Sequence, residues 1–517
     1  MRAVLLVGVM CFVAVAGSVG ATAQDAALKA RMTGAALDWA AHNGRLRQSM
    51  QAFPKGGDLH SHLAGAIYAE SWIDWAAEDG LCVDTAVPAI IFPEEGKSCV
   101  ESGWITAEDA RADESSRRQL INSISNRSYV PTLDWSGHND FFATFARMTA
   151  ADHRFGDKLA EVAERAGQQN ILYLELMETI VFPELFPLVA GLELTGDVVA
   201  DYKILMESPF GAAIPALTTK ISTAIKSAQI KKAKLLGCEV NPEAVGCDVK
   251  IRFIHQVIRE FEPAVVYAQI ILGWAAMEHV GDVVALNLVA PEDGFIALRD
   301  YSYHMRMIDH LYTSLGEQNV TLHAGELTLG LVRPRQLRFH IREAIEIGHA
   351  KRIGHGIDIA YETNGEALAK KMAEEGIMVE VNLTSNDTIL GISGAAHPIV
   401  MYRDLDVPYA LSTDDEGVSR IDLTHEYMRF FTSYDVPYLE LKYASRNSLS
   451  YSFLPGESLW DSPACKEAVK TSAEAGAECQ AYIAGSEKAE LQWELEKRFR
   501  EYEDTLRIPV RKKTSFN

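Results

Sequence analysis

Positive charge is scarce in this chain. Its 517 residues include 49 lysines and arginines against 71 aspartates and glutamates, which gives a formal net charge of −22 at pH 7. A protein that binds DNA or RNA through the phosphate backbone needs a basic face, and an anionic membrane surface attracts the same kind of face. We therefore expect neither a nucleic acid nor a membrane among the partners of the mature protein.

Long apolar runs are also missing after the first residues. The stretch 264–275 is apolar but too short to cross a bilayer. At the start, Arg2 precedes an apolar stretch from Val4 to Val19, and Ala21-Thr22-Ala23 matches a small-x-small cleavage site. This pattern predicts a secretory signal in residues 1–23 and a secreted or periplasmic protein. An uncleaved membrane anchor is the alternative.

Cysteine is rare, and no pair has the C-x-x-C spacing of a zinc knuckle. Of the seven cysteines, Cys11 lies in the predicted signal and six fall into local pairs. An even number of locally paired cysteines fits an oxidising compartment, although six unpaired thiols are the alternative. We predict three disulfides and no metal ligand among these residues: Cys82 with Cys99, Cys238 with Cys247, and Cys465 with Cys479.

What recurs in the chain is a short apolar run bounded by turn signals. Stretches of helical periodicity, such as 333–349 and 361–375, separate most of these runs. Eight strands alternating with helices predict a (β/α)8 TIM barrel, which is an α/β fold with a parallel sheet. The candidate strands end near His60, Met177, His255, Asn287, His323, His355, Asn382 and Thr413.

Three segments lie outside this alternation. Residues 25–50 have the pattern of an amphipathic lead-in helix, and residues 80–135 are too long for an ordinary loop. Residues 205–248 contain a basic patch, Lys226–Lys234, which is either an anion or partner site or a solvated helix face. We expect one hydrolase domain over residues 24–517, with disulfide-stapled insertions near 80–135 and 205–248.

Four short motifs place polar residues at the ends of candidate strands. In a parallel barrel the carboxyl ends of the strands meet at one face, where active sites lie. The motifs together supply three histidines and a carboxylate for a metal, with further groups for proton transfer. They are Asp58-Leu59-His60-Ser61-His62, His323-Ala324-Gly325-Glu326, Arg352-Ile353-Gly354-His355-Gly356 and Ser412-Thr413-Asp414-Asp415.

The expected metal ligands are His60, His62, His323 and Asp414. Side chains two residues apart on a strand share a face, so the first two imidazoles can reach one ion. Nitrogen and carboxylate ligands with open positions suit a catalytic zinc ion, and other divalent metals remain open. We expect one ion per chain, because residues 286–289 at the fourth strand's end lack the bridging lysine common in binuclear hydrolases.

Three further side chains are candidates for catalysis. Glu326 follows His323 in the loop beyond the strand, where a carboxyl in a dry pocket can act as a general acid or base. His355 lies between two glycines and could bind or deprotonate an attacking water, and Asp415 could orient that water. The structural alternatives are a surface or capping glutamate, a core histidine and an acidic turn.

Other polar and aromatic residues receive smaller roles. Phe141, Phe142 and Phe145 have helical spacing, which is more often a core pattern, yet Phe141 and Phe145 could line the pocket mouth. No catalytic role is assigned to the remaining histidines, which we expect to be structural or exposed: His138, His304, His310, His397 and His425.

The motif set resembles the adenosine deaminase family of metal-dependent amidohydrolases, including its secreted growth-factor-like branch. Pro54-Lys55 and Ser385-Asn386 add to the resemblance, which spans residues 54–420 in order and spacing. It implies a zinc-dependent barrel that replaces an exocyclic purine amine with oxygen. By this resemblance His60, His62, His323 and Asp414 ligate zinc, Glu326 protonates the ring nitrogen N1, His355 assists the attacking water and Asp415 aligns it.

Two positions differ from the family pattern. The family commonly has an acidic ribose contact after its His-x-His-Leu piece, where this chain has Ala64. It also tends to read Asp-Leu-x-Gly at the fourth strand's end, where this chain reads Asn287-Leu288-Val289-Ala290. Both belong to the sugar and purine contacts, and Ala290 is therefore a candidate substrate-binding residue. The substrate stays open among nucleosides, nucleotides, modified adenines and peptide-linked amines.

Two competing hypotheses concern function. The chain could be an exported amidohydrolase that acts on another amine, an amide or an ester. It could also be a non-catalytic extracellular binding or signalling protein on the same barrel. The complete ligand set favours an enzyme with a small-molecule purine substrate, and a homodimer is one option for its assembly.

Overall fold

The computed structural model describes residues 32–35, 39–40, 42–471 and 474–506. The predicted signal 1–23 lies outside the described residues. Of the predicted lead-in helix 25–50, residues 32–35 and 39–40 are helical, and a helix follows over Asn43–Ala52. In the described part of the chain, no helix combines the length and apolarity needed to cross a membrane.

The strands of the described residues fall into a barrel and a small separate sheet. They are β1 (Gly56–His62), β2 (Cys82–Asp84), β3 (Ala89–Ile91), β4 (Ile105–Thr106), β5 (Ile171–Glu178), β6 (Lys250–Ile258), β7 (Val283–Val289), β8 (Thr321–Ala324), β9 (Arg352–His355), β10 (Met378–Val381) and β11 (Tyr409–Leu411).

Helices connect these strands. They are α1 (Asn43–Ala52), α2 (Ala69–Glu78), α3 (Ala107–Ala112), α4 (Glu114–Ser123), α5 (Gly137–Met148), α6 (Phe155–Gln168), α7 (Phe182–Val189), α8 (Val198–Glu207), α9 (Pro209–Leu236), α10 (Pro263–His279), α11 (Phe295–Leu315), α12 (His340–Glu346), α13 (Gly365–Glu375), α14 (Leu383–Leu390), α15 (Ile399–Asp404), α16 (Glu416–Ser419), α17 (Leu423–Tyr434), α18 (Tyr438–Ser450), α19 (Lys466–Thr471), α20 (Ala477–Ala484) and α21 (Glu487–Thr505).

Eight parallel strands form the barrel in chain order. One sheet has the order β1-β5-β6-β7 and the other β8-β9-β10-β11. Parallel bridges join them at both junctions, Leu286 with Val320 and Ser61 with Asp414. At the second junction Asp414 N donates to His60 O over 2.9 Å and His62 N donates to Asp414 O over 3.0 Å. The ring of strands therefore closes, and the predicted (β/α)8 barrel is confirmed.

The strand sequences explain why these segments line a barrel. Strand β5 reads Ile-Leu-Tyr-Leu-Glu-Leu-Met-Glu and is buried along all but its last residue. A parallel strand covered on both faces needs such a near-continuous apolar run. Each of the eight barrel strands ends within three residues of its predicted end, so all the motifs lie at the carboxyl face of the barrel.

The segments outside the alternation carry the disulfides. In 80–135, strands β3-β2-β4 form an antiparallel sheet that Cys82–Cys99 joins to the following turn. In 205–248, Cys238–Cys247 closes the loop after the long helix α9, whose basic patch contains Lys231 paired with Asp157. Cys465–Cys479 is the third bond, so all three predicted disulfides are present.

Candidate active site

Four donor atoms converge at the carboxyl end of the barrel. The Nε2 atom of His323 lies 3.1 Å from Nε2 of His60 and 3.2 Å from Nε2 of His62. The Oδ1 atom of Asp414 lies 3.4 Å and 3.3 Å from the same two nitrogens of His60 and His62. Ligands placed about 2.0–2.1 Å from a tetrahedral ion are separated by about 3.3 Å. The spacing therefore fits one metal ion.

The proton positions on the three imidazoles support the same conclusion. Each Nδ1 atom lies against a side-chain oxygen to which it can donate, and in a neutral imidazole this leaves the lone pair on Nε2. Three lone pairs and a carboxylate oxygen that point at one another need a cation between them. The contacts are His60 to Glu380 at 2.5 Å, His62 to Gln256 at 2.9 Å and His323 to Asn287 at 2.9 Å.

Asn287 corrects an interpretation made from the sequence. We expected this position to contact the sugar or purine, but its side chain is fully buried behind His323. Its Oδ1 atom accepts from both the backbone N–H and Nδ1 of His323, at 3.0 Å and 2.9 Å. The amide oxygen thus fixes both the ring orientation and the tautomer of a metal ligand.

A buried charge network, which the sequence motifs did not assign, holds His60. Arg352 Nε lies 2.6 Å from Glu380 Oε1, and Arg352 Nη2 lies 2.7 Å from Glu175 Oε2. Burial opposes ionisation of Glu380, but Arg352 and His60 outweigh it and hold the pKa of that carboxyl below its ordinary value. The available signal was a glutamate inside the fully buried strand β10.

Glu326 is held in the site by its backbone. Gly325 has φ +75°, a conformation that glycine adopts readily. The N–H groups of Gly325 and Glu326 donate to the carboxylate of Glu292 at 3.1 Å and 2.8 Å. The Oε1 atom of Glu326 is buried with no hydrogen-bond partner among the described residues. Burial, then Asp414 and Glu292, raise the pKa of Glu326 well above its ordinary value, so it is poised as an acid.

His355 and Asp415 border the same site. Burial lowers the pKa of His355 to about 3, which keeps its imidazole neutral. Asp414 has φ +61°, so the backbone here is not extended, and Asp414 and Asp415 both line one cavity. Gly65 makes room for this arrangement, because a Cβ atom there would lie 1.5 Å from Asp415 Oδ1. Burial and the neighbouring Asp414 raise the pKa of Asp415 well above its ordinary value.

These groups open onto a cavity of about 430 Å³. Its wall includes the expected substrate-binding residues Ala290, Phe141 and Phe145. Ala290 has φ +81°, which is strained for a residue with a Cβ atom. Its carbonyl accepts from Nε and Nη2 of the buried Arg259 at 3.0 Å and 2.8 Å, and these bonds hold the strained turn in place.

Comparisons with known proteins agree with this geometry. The family model described as adenosine deaminase matches residues 212–460. Adenosine deaminase of Escherichia coli strain SMS-3-5 is 32% identical over 184 residues, which are 35% of this chain and 50% of that protein. The chain thus spans about half the length of the curated relatives it matches.

Solved structures resemble the whole fold. The N6-methyl-AMP deaminase from Arabidopsis thaliana matches with a TM-score of 0.53 and 18% identity, covering 88% of this chain and 99% of that chain. An amidohydrolase from Burkholderia ambifaria with bound Zn matches with a TM-score of 0.50 and 15% identity, covering 88% and 94%. At these identities the likeness shows the fold alone, while the family model and the curated relatives show that part of the chain is similar to adenosine deaminases.

Proposed function

We propose that this chain catalyses the zinc-dependent hydrolytic deamination of an adenine nucleoside. The observation that carries the proposal is that four candidate metal donors converge beside the buried Glu326 carboxyl group in one cavity. His60, His62, His323 and Asp414 would hold the ion. The chemistry that bound zinc supplies is Lewis-acid activation of a water molecule.

The chain's own groups then divide the remaining work. Glu326, whose pKa burial raises well above its ordinary value, donates a proton to ring nitrogen N1, which makes C6 electrophilic. His355 and Asp415 orient the water whose oxygen bonds to C6. One proton of the water returns to a carboxylate of the site and the other passes to the exocyclic nitrogen. The bond from C6 to that nitrogen then breaks, ammonia leaves, and the ring keeps a carbonyl oxygen. Phe141 and Phe145 supply apolar surface for the purine.

The charge of the cavity favours a nucleoside over a nucleotide. No lysine or arginine is among its lining residues in the part of the chain that the structure describes. Five acidic residues line it: Asp152, Glu178, Glu326, Asp414 and Asp415. A phosphate near Asp152 and Glu178 would face carboxylates without a lysine or arginine in that lining. Asp152 and Glu178 can accept from sugar hydroxyls, the role that Ala64 cannot fill. The buried Lys158 Nζ atom positions these two carboxylates, because it donates to Asp152 Oδ1 at 2.6 Å and to Glu178 Oε2 at 3.1 Å.

A substrate panel tests both the reaction and this preference. We expect ammonia release from adenosine and deoxyadenosine, with kcat/KM for AMP lower by about 100-fold or more. The panel would also include adenine and N6-modified adenosines. Glu178→Gln removes one carboxylate charge and should narrow the gap between adenosine and AMP. Silence of the zinc-loaded protein across the panel would contradict the reaction, whereas a preference for AMP would contradict only the nucleoside assignment.

We also propose that the protein is exported. The signal pattern in residues 1–23 and the three disulfides support this location. When the full chain is expressed in a secreting bacterial host, the mature protein should begin at Gln24 and leave the cytoplasm. Edman sequencing of the purified protein checks the cleavage site, and an intact Met1 in a cytoplasmic fraction would contradict export.

A further inference from the structure

A buried chain of polar groups reaches His355 from outside the cavity. The backbone N–H of Ile399 donates to Nδ1 of His397 at 3.1 Å, and Nε2 of His397 lies 3.0 Å from Oδ1 of Asn386. The Nδ2 atom of Asn386 then lies 2.9 Å from Nδ1 of His355. His397 and Asn386 are at most 1% exposed, and neither lines the cavity.

The backbone N–H of Ile399 fixes the direction of every hydrogen bond in this series of polar groups. A backbone N–H can only donate, so Nδ1 of His397 is an acceptor and its proton lies on Nε2. That proton is donated to Oδ1 of Asn386, which orients the amide so that Nδ2 faces His355. An amide NH₂ can also only donate, so Nδ1 of His355 must be an acceptor.

Among the residues that the structure describes, no other contact favours a proton on Nδ1 of His355. Asn382 presents a second Nδ2 donor at 3.5 Å. Glu326 Oε1 is the nearest carboxylate oxygen to Nδ1, but at 3.6 Å it is too far for a hydrogen bond. The Nε2 atom of His355 has no hydrogen-bond partner among the described residues, and the residue lines the cavity. A proton on Nε2 is therefore available to a bound ligand.

We propose that Asn386 and His397 are positioning residues that fix His355 as the Nε2–H tautomer, so that it enters the reaction as a hydrogen-bond donor. The inference rests on the proposed deamination for its catalytic meaning. It decides between the two roles that the sequence left open for His355, because a ring with its proton on Nε2 can bind the attacking oxygen but cannot deprotonate it there. The proton of the attacking water then passes to a carboxylate of the site.

Nitrogen-15 NMR of histidine-labelled protein measures the tautomer directly, with or without zinc. Wild-type His355 should show a protonated Nε2 and an unprotonated Nδ1, with the signal assigned by its loss in His355→Gln. His323, whose Nδ1 lies 2.9 Å from the amide oxygen of Asn287, should show the opposite tautomer, which provides an internal reference. A proton on Nδ1 of wild-type His355 would overturn the proposal even if no substrate is turned over.

Two sets of variants test whether the hydrogen bonds from His397 through Asn386 to His355 affect kcat. Asn386→Asp replaces the amide donor by an isosteric acceptor, so His355 should move its proton to Nδ1. We expect kcat to fall by about 100-fold or more, with KM and zinc content unchanged. Zinc-loaded Asn386→Asp with an unchanged kcat would overturn the proposal.

A pair at His397 gives the same test if Asn386→Asp does not fold. His397→Gln keeps one acceptor and one donor, whereas His397→Leu keeps neither. The leucine variant should lower kcat by about tenfold without changing KM, and the glutamine variant should recover most of that loss. Equal kcat values for the two variants would contradict a role for His397 in orienting Asn386.

Discussion

Glu326→Gln should abolish most turnover while leaving the zinc content unchanged. The amide has nearly the same size as the carboxyl group but cannot deliver a proton to N1. Loss of a positioned general acid lowers kcat by about 10²–10⁴-fold. Glu326 is not among the four converging donors, so metal analysis and ammonia assays on the same preparation separate the two effects.

The matched control is Glu374→Gln, which makes the same chemical change on the exposed surface of helix α13. Its turnover should equal that of the wild type. If Glu326→Gln kept wild-type activity, the proton donor would have to be a different group, and the raised pKa of Glu326 would have no catalytic meaning.

His62→Ala should lose zinc and turnover together. The substitution removes one of the three nitrogens that would face the ion. We expect the affinity of the remaining donors for a divalent metal to be lower by about 100-fold or more. His62 is a better target than His60, because its side chain is 14% exposed and the His60 side chain is fully buried. Zinc titration with a competing chelator measures the affinity.

His279→Ala is the control for this change, since that histidine lies on the surface with 59% of its side chain exposed. It should keep both zinc and activity. A His62→Ala protein that deaminates adenosine at the wild-type rate without bound metal would contradict the role of the ion.

The sequence predicted those features that depend on one segment at a time. His60 and His62 share a strand face, Gly325 permits the turn before Glu326, and apolar runs such as β5 identify the barrel strands. Parallel barrel strands all end at one face, so the four motifs could be predicted to lie in one site even though the register of the strands was unknown.

The features that the sequence missed depend on which strands are neighbours and in what register. Gln256, Asn287 and Glu380 each contact a candidate metal ligand, a histidine from another strand. Strand order and a one-residue slip decide whether such side chains meet. His397 was assigned no role because its link to His355 is indirect and passes through Asn386 on helix α14.

Anomalous X-ray diffraction at the zinc edge, on crystals of the purified protein, is the most direct test of the proposed centre. We expect a single zinc ion bound by Nε2 of His60, His62 and His323 and by the carboxylate of Asp414. A metal ion bound elsewhere, or a zinc-supplemented protein whose four donors hold no ion, would contradict it.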